Sequence, residues 1–161
     1  MELYLMRHGI AEDAGPGQSD PARRLTPEGI ERAQAMLDLA RQAGVAPDLI
    51  LSSPYLRAMQ TARLAREVLG VTEQIIEFPS LVPHGDPQTV WQDLRAYSGY
   101  PAILLTGHEP LFSQLAAYLL NSPGLQIEVK KASIIRIDFL SAGAAPRGIL
   151  RWMMVPRFTG R

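Results

Sequence analysis

The chain of 161 residues contains no cysteine. Disulfides, thiolate nucleophiles and cysteine-based zinc sites are therefore excluded. Lysine is scarce: Lys130 and Lys131 are the only two, and arginine supplies the rest of the 16 cationic side chains. A cationic site here is expected to use guanidinium forks, which suit phosphate oxygens. Neither sign of charge is in excess, since 16 Lys+Arg balance 16 Asp+Glu. Binders of nucleic acid or of an anionic membrane usually carry a basic surplus, so neither partner is expected. No apolar run approaches the roughly 20 residues that span a bilayer. The N-terminus lacks the basic and long apolar segments of a secretory signal, so a cytoplasmic location is expected.

What is present is an ordinary core composition, 47% hydrophobic and 20% charged. The length suits a single globular domain over residues 1–161. Short apolar runs of buried-strand type occur at Leu3–Met6, Leu49–Leu51, Ile75–Phe78 and Ala102–Thr106. Helix-period segments lie between them. Thr26-Pro27-Glu28 reads as an N-cap, a proline at the first helical position and a first-turn acid. Ile30, Ala33, Leu37 and Ala40 follow on one face, and Gly44 marks the stop. Ser53-Pro54 and Gly70 repeat these start and stop signals. Asp86-Pro87 opens a third helix with Val90, Leu94 and Tyr97 inward. Pro110 opens a fourth with Leu111, Leu115, Ala116 and Leu119 inward, ending at Asn121–Gly124.

Beyond residue 130 the period changes. Ile135, Ile137 and Phe139 alternate with Ile134, Arg136 and Asp138, and Ile149–Val155 is a second strand-like run. The loop SAGAAPRG (141–148) between them predicts a hairpin. Strand–helix alternation followed by a hairpin predicts an α/β fold. Its form is a three-layer α/β/α sandwich on a mainly parallel central sheet with an antiparallel C-terminal part. The polar stretch Glu12–Asp20 reads as a mobile loop beside the first strand.

Ligands of open α/β sheets bind beyond the carboxyl ends of the strands. Three polar groups fall at such ends: Arg7-His8-Gly9 after the first strand, Arg57 after the second, and His108 in TGHEP (106–110) after the fourth. Two arginines, two histidines and helix N-termini suit a dianionic phosphoryl group. Neighbouring cations disfavour imidazolium, so a histidine there stays neutral and can attack phosphorus. Gly9 lets backbone approach the phosphate closely.

These residues carry a resemblance. LMRHG (5–9), SSPYLRAMQTA (52–62) and TGHEP (106–110) resemble the motifs of the histidine phosphatase superfamily, the phosphoglycerate-mutase-like fold. The short length, DPARRLTPEG (20–29) and SLVPHGD (80–86) make the chain similar to the small SixA-type phosphohistidine phosphatases. The resemblance implies that His8 is a nucleophile forming a phosphohistidine intermediate. It implies that Arg7, Arg57 and His108 hold the phosphoryl oxygens and stabilise transition-state charge. Neither a metal nor another cofactor is implied, and the three histidines have no metal-ligand spacing such as an i, i+4 pair.

The superfamily's mutases carry a glutamate as general acid after the third strand. The corresponding region here, EFPSLVPHGD (77–86), offers only Glu77 and Asp86, and neither matches that context. With Glu12 they are the candidate acids. Weak acid provision hampers loss of an alkoxide and matters less for a phosphoramidate, so a phosphohistidine protein, such as a phosphorelay carrier, is the expected substrate. A small phosphomonoester is the alternative substrate, and a phospho-recognition module without turnover the alternative class. His84 is a candidate at the substrate entrance, read otherwise as a plain loop residue. Arg23 and Arg24 read as surface arginines, Gln60 and Thr61 as supports of the Arg57 turn, and Trp91 and Trp152 as core or interface residues. A monomer or weak dimer suffices for such chemistry.

Overall fold

The structure is a computed structural model and describes residues 1–156; the last five residues of the expected 1–161 domain lie outside the described residues. The strands are β1 (Glu2–Arg7), β2 (Leu49–Ser52), β3 (Ile76–Glu77), β4 (Ala102–Gly107), β5 (Ile134–Asp138) and β6 (Ile149–Met154). The helices are α1 (Pro27–Gln42), α2 (Leu56–Leu69), α3 (Pro87–Leu94) and α4 (Leu111–Leu119). One sheet runs in the order β3-β2-β4-β1-β5-β6. Its first four strands are parallel, and β5 and β6 pair antiparallel as the expected hairpin.

Alternation along the strands builds two cores. Leu3, Leu5, Leu49, Leu51, Ile103 and Leu105 face the layer made by α3 and α4, where Trp91 is fully buried. Tyr4, Met6, Ile50 and Leu104 face the opposite layer of α1 and α2. Trp152 packs beside Tyr4 at 6.0 Å between ring centroids, so both tryptophans are core-lining. The chain thus leaves β1 toward one face and leaves the adjacent β4 toward the other. Connections that diverge from neighbouring parallel strands open a crevice at their carboxyl ends.

Local signals account for most helix ends. The Thr26 side chain accepts from Gly29 N (2.9 Å) and caps α1. Gly70, with φ +70°, ends α2 in the left-handed region that glycine tolerates. Asp86 caps α3 by accepting from Thr89 N at 2.8 Å. Three expectations are corrected. Ile30 is 37% exposed rather than inward, because α1 turns Ala33, Met36 and Leu37 to the core. Helix α2 begins at Leu56, not at Ser53-Pro54: Tyr55 is still extended and stands at the cap position, while Ser53 Oγ lies 2.7 Å from His108 Nε2. Strand β3 is only two residues long.

The stretch Glu12–Asp20 is exposed but anchored at its far end. It leads into a 3-10 turn at Asp20–Ala22, and an isolated bridge between Ala11 and Leu25 closes it. The loop after β1 then sits directly on the start of α1: Thr26 N donates to Ile10 O (2.9 Å), and a Cβ at Gly29 would land on the Ile10 carbonyl. Gly29→Ala is expected to cost about 1–3 kcal/mol in urea unfolding, because backbone on both sides must shift. A change under about 0.5 kcal/mol would show that the contact is not a constraint.

Candidate active site

The backbone ladder delivers the two histidines together. His8 N donates to Gly107 O (2.9 Å), one step beyond the last β1–β4 pair, so residues 8 and 108 leave neighbouring strands side by side. Their ring centroids are 5.1 Å apart. The carbonyls of Arg7 and His8 share the N–H of Ala132 at 3.1 Å each. Ala132 holds φ +63°, uncommon for a residue with a Cβ, so the turn before β5 is bent to clamp this segment.

Arg57 reaches the same point from the first turn of α2. Its Nε donates to His8 Nε2 at 3.2 Å, Nη1 donates to Asp20 O at 2.9 Å, and Nη2 meets the Asp20 carboxylate at 3.2 Å. The guanidinium lies 5.1 Å from the centroid of the Tyr55 ring. Thr61, one turn on, donates to Arg57 O (2.8 Å) and accepts from Gly9 N (3.2 Å), joining α2 to the loop after β1. Gln60 is spent differently, accepting from Leu25 N at 2.8 Å. Gly9 is required by packing: a Cβ there would stand 2.8 Å from Gly29 O.

The tautomer of His8 follows from its partners. Nδ1 lies 2.6 Å from Gly9 O, a carbonyl that can only accept, and Arg57 Nε–H can only donate to Nε2. The proton therefore sits on Nδ1, and the Nε2 lone pair faces the site. His8 is 5% exposed, and burial, helped by Arg57 and Arg7, pushes its pKa down to about 3. His108 is 1% exposed; burial, with His8 and Arg57 adding, pushes it to about 2. Both rings are neutral at physiological pH.

Arg7 donates through Nη1 to Val129 O at 2.8 Å. Burial and Arg57 lower its pKa, and Glu109 opposes them. Two buried nitrogens of this cluster, Arg7 Nε and His108 Nδ1, have no hydrogen-bond partner. A buried unpaired donor costs about 1–3 kcal/mol. Arg7 Nε is such a donor, and with the Arg57 guanidinium beside it the cluster describes a place for an anion with several acceptor oxygens.

The structure thus brings Arg7, His8, Gly9, Arg57 and His108 together. It does not add His84, which is exposed on the loop after β3 and makes no hydrogen bond, though that loop leaves the same edge of the sheet. Of the candidate acids, Asp86 spends its carboxylate capping α3, while Glu77 and Glu12 are exposed with no side-chain partner. Arg23 is not a free surface arginine: it pairs with Asp20 (2.8 Å) and donates to Glu12 O. Sequence reasoning missed Asp20, whose Asp-Pro start signal matches that of Asp86-Pro87 and marks the turn that carries it to Arg57. It also missed the 2.7 Å contact between Ser53 Oγ and His108 Nε2.

The model of the histidine phosphatase superfamily (branch 1) matches residues 3–82. An uncharacterized protein of Picosynechococcus sp. is 37% identical over 149 residues, 90% of this chain and 87% of that protein. Phosphohistidine phosphatase SixA of Escherichia coli (strain K12) is 31% identical over 158 residues, 97% of this chain and 94% of that one. The solved structure of the protein histidine phosphatase SixA complexed with tungstate superposes with a TM-score of 0.86 at 29% identity, covering 98% of this chain and 99% of that one. The α-ribazole phosphatase from Shigella flexneri shares the fold, with a TM-score of 0.72 at 22% identity over 97% of each chain. This chain belongs to the histidine phosphatase superfamily, as a SixA-like phosphatase with the phosphoglycerate-mutase-like fold.

The depressed histidines link stability to pH. Below the ordinary imidazole value of about 6.5 the unfolded chain takes up a proton on each ring and the native chain does not. Stability is therefore full above that value and declines as the pH falls toward 3, by up to about 1.4 kcal/mol per pH unit for each ring. Urea unfolding at about pH 7.5 and 5.5 measures it. A double variant His8→Ala, His108→Ala should be nearly flat across this window. Equal wild-type stability at both pH values would mean that the rings titrate normally.

Proposed function

We propose that the protein hydrolyses phosphohistidine on a partner protein, through a covalent intermediate on His8. The observation that carries the mechanism is the Nε2 lone pair of a buried, neutral His8, set beside Arg57 Nε. In the first step Nε2 attacks phosphorus, an N–P bond forms, and the bond to the leaving group breaks with its electron pair departing on that group. Arg57 swings its Nε–H from the imidazole to a phosphoryl oxygen as the lone pair is used. Arg7 and His108 donate to the remaining oxygens as charge develops on them. In the second step water attacks phosphorus, the N–P bond breaks, its electron pair returns to Nε2, and inorganic phosphate leaves. His84, on the loop at the same edge, is proposed at the substrate entrance.

The acid inventory supports a nitrogen leaving group. Two carboxylates stand near this cluster: Glu109, whose Oε1 accepts from Ser113 N at the start of α4 (2.7 Å), and Asp20, which is hydrogen-bonded to Arg57. Burial works to raise the Asp20 pKa, but Arg23 and Arg57 together hold it below the usual carboxylate range. It stays ionised and is a poor proton donor. An alkoxide leaving group needs such a donor. A phosphorylated imidazole protonated on its own ring departs as neutral histidine without one. The 31% identity to a phosphohistidine phosphatase over nearly the whole chain supports the same substrate class. A phosphorelay carrier is a partner of that chemistry, and a monomer or weak dimer leaves the sheet edge open to it.

The test is turnover of a phosphohistidine peptide against a phosphoserine peptide, whose alkoxide leaving group needs a proton donor. Wild type is expected to prefer the phosphoramidate, and His8→Ala to be inactive on both while remaining folded. Faster turnover of the ester would move the assignment to a phosphomonoesterase. Binding without turnover of either would mark a recognition module. Arg57→Ala should lower kcat on the order of 10²–10³-fold, as for loss of a preorganised charge stabiliser. A loss under about threefold would place Arg57 outside the reaction.

A further inference from the structure

We infer that Ser53 is a positioning residue that sets the tautomer of His108, so that His108 presents a proton on Nδ1 to the phosphoryl group. The inference rests on the phosphoryl-transfer reading above and extends it to a residue beyond the motif's charged groups. Ser53 is fully buried at the end of β2, and its Oγ has two partners: it accepts from Tyr55 N at 3.3 Å and lies 2.7 Å from His108 Nε2.

The hydrogen count decides the direction of the second contact. A serine hydroxyl has one proton to give. The Tyr55 amide already donates to Oγ. If His108 Nε2 carried the ring proton, it too would donate to Oγ, and the hydroxyl proton would have no acceptor among its partners. Nδ1, which has no partner, would then be a bare lone pair in an anion site. If the hydroxyl donates to Nε2, every group at this end is satisfied and the proton of the neutral ring lies on Nδ1. That places a buried N–H, with no acceptor of its own, 5.1 Å ring to ring from the nucleophile. The two histidines share one tautomer and use it in opposite senses. Gly9 O holds the proton of His8 on Nδ1 and leaves Nε2 free to attack, while Ser53 occupies Nε2 of His108 and leaves Nδ1–H free to donate.

Long-range ¹H–¹⁵N correlation on the full-length, ¹⁵N-histidine-labelled protein reads the tautomer directly and needs no substrate. Wild-type His108 is expected to show a protonated Nδ1 and a bare Nε2, and tungstate should shift the Nδ1 resonance. A protonated Nε2 in the wild type, or an Nδ1 unmoved by bound tungstate, overturns the inference without bearing on the nucleophile. Ser53→Ala should mix or reverse the tautomer and lower kcat about tenfold with KM changed less than threefold, on whichever substrate the wild type turns over. Ser53→Thr, which keeps the hydroxyl, should recover the wild-type tautomer. In a His108→Ala background, Ser53→Ala should add less than twofold. An undiminished tenfold loss there, or a wild-type tautomer in folded Ser53→Ala, would show that Ser53 acts on folding or on another group. Should Ser53→Ala not fold, the wild-type spectrum and its response to tungstate still decide.

Discussion

The parallel pairing of β1 with β4 is the constraint on which the rest of this molecule depends. It runs from Glu2 opposite Ala102 to Arg7 opposite Gly107 and extends one hydrogen bond further, to His8. Helices packed on opposite faces force the two strands' continuations apart, and the gap between them is where both histidines emerge. Everything else at the site is brought to that gap from outside. Arg57 comes from α2, held there by the contacts of Thr61 and Asp20, and the turn at Ala132 closes the far side.

The electrostatics follow from burial more than from any single pair. Two imidazoles almost without solvent, beside two guanidiniums, are driven to the neutral form. In the proposed reaction, neutrality lets one ring serve as a nucleophile and the other as a hydrogen-bond donor. Each needs a fixed tautomer for this, and each has an oxygen of a different kind to fix it: a backbone carbonyl for His8 and a hydroxyl for His108. The arginines stay charged because a guanidinium keeps its proton far above physiological pH, and a nearby carboxylate opposes what burial takes away: Glu109 for Arg7, Asp20 for Arg57.

Much of this was legible from the residues alone, for a physical reason. Buried parallel strands are short apolar runs, and a cation or imidazole right after such a run must lie at the sheet edge. Arg7, His8 and His108 were therefore visible, and so was the hairpin at the C-terminal end. Arg57 was visible through the motif around it. What stayed hidden depended on contacts across the chain. Asp20 sits in a polar stretch whose composition suggests only solvent, and its partner is 37 residues away. Ser53 looked like a helix cap because serine before proline usually is one. Its contact with His108 is a tertiary one that the local signal does not show, and the helix starts only at Leu56. Ile30 fell on the edge of a helical face, where a small rotation decides between core and water. His84 had only its loop to argue from, and the fold leaves it exposed.

The grip of Arg57 on Asp20 bears on how fast a product can leave. Two guanidiniums around a neutral imidazole attract any dianion, and inorganic phosphate fits such a place as well as a substrate does. A site of that kind risks holding on to what it has made. Asp20 changes the balance, because it supplies Arg57 with an anion that never departs. An incoming phosphoryl group has to compete for the guanidinium, and a departing phosphate leaves it already paired. In the proposed reaction, some affinity is given up at every encounter, and release is faster in return.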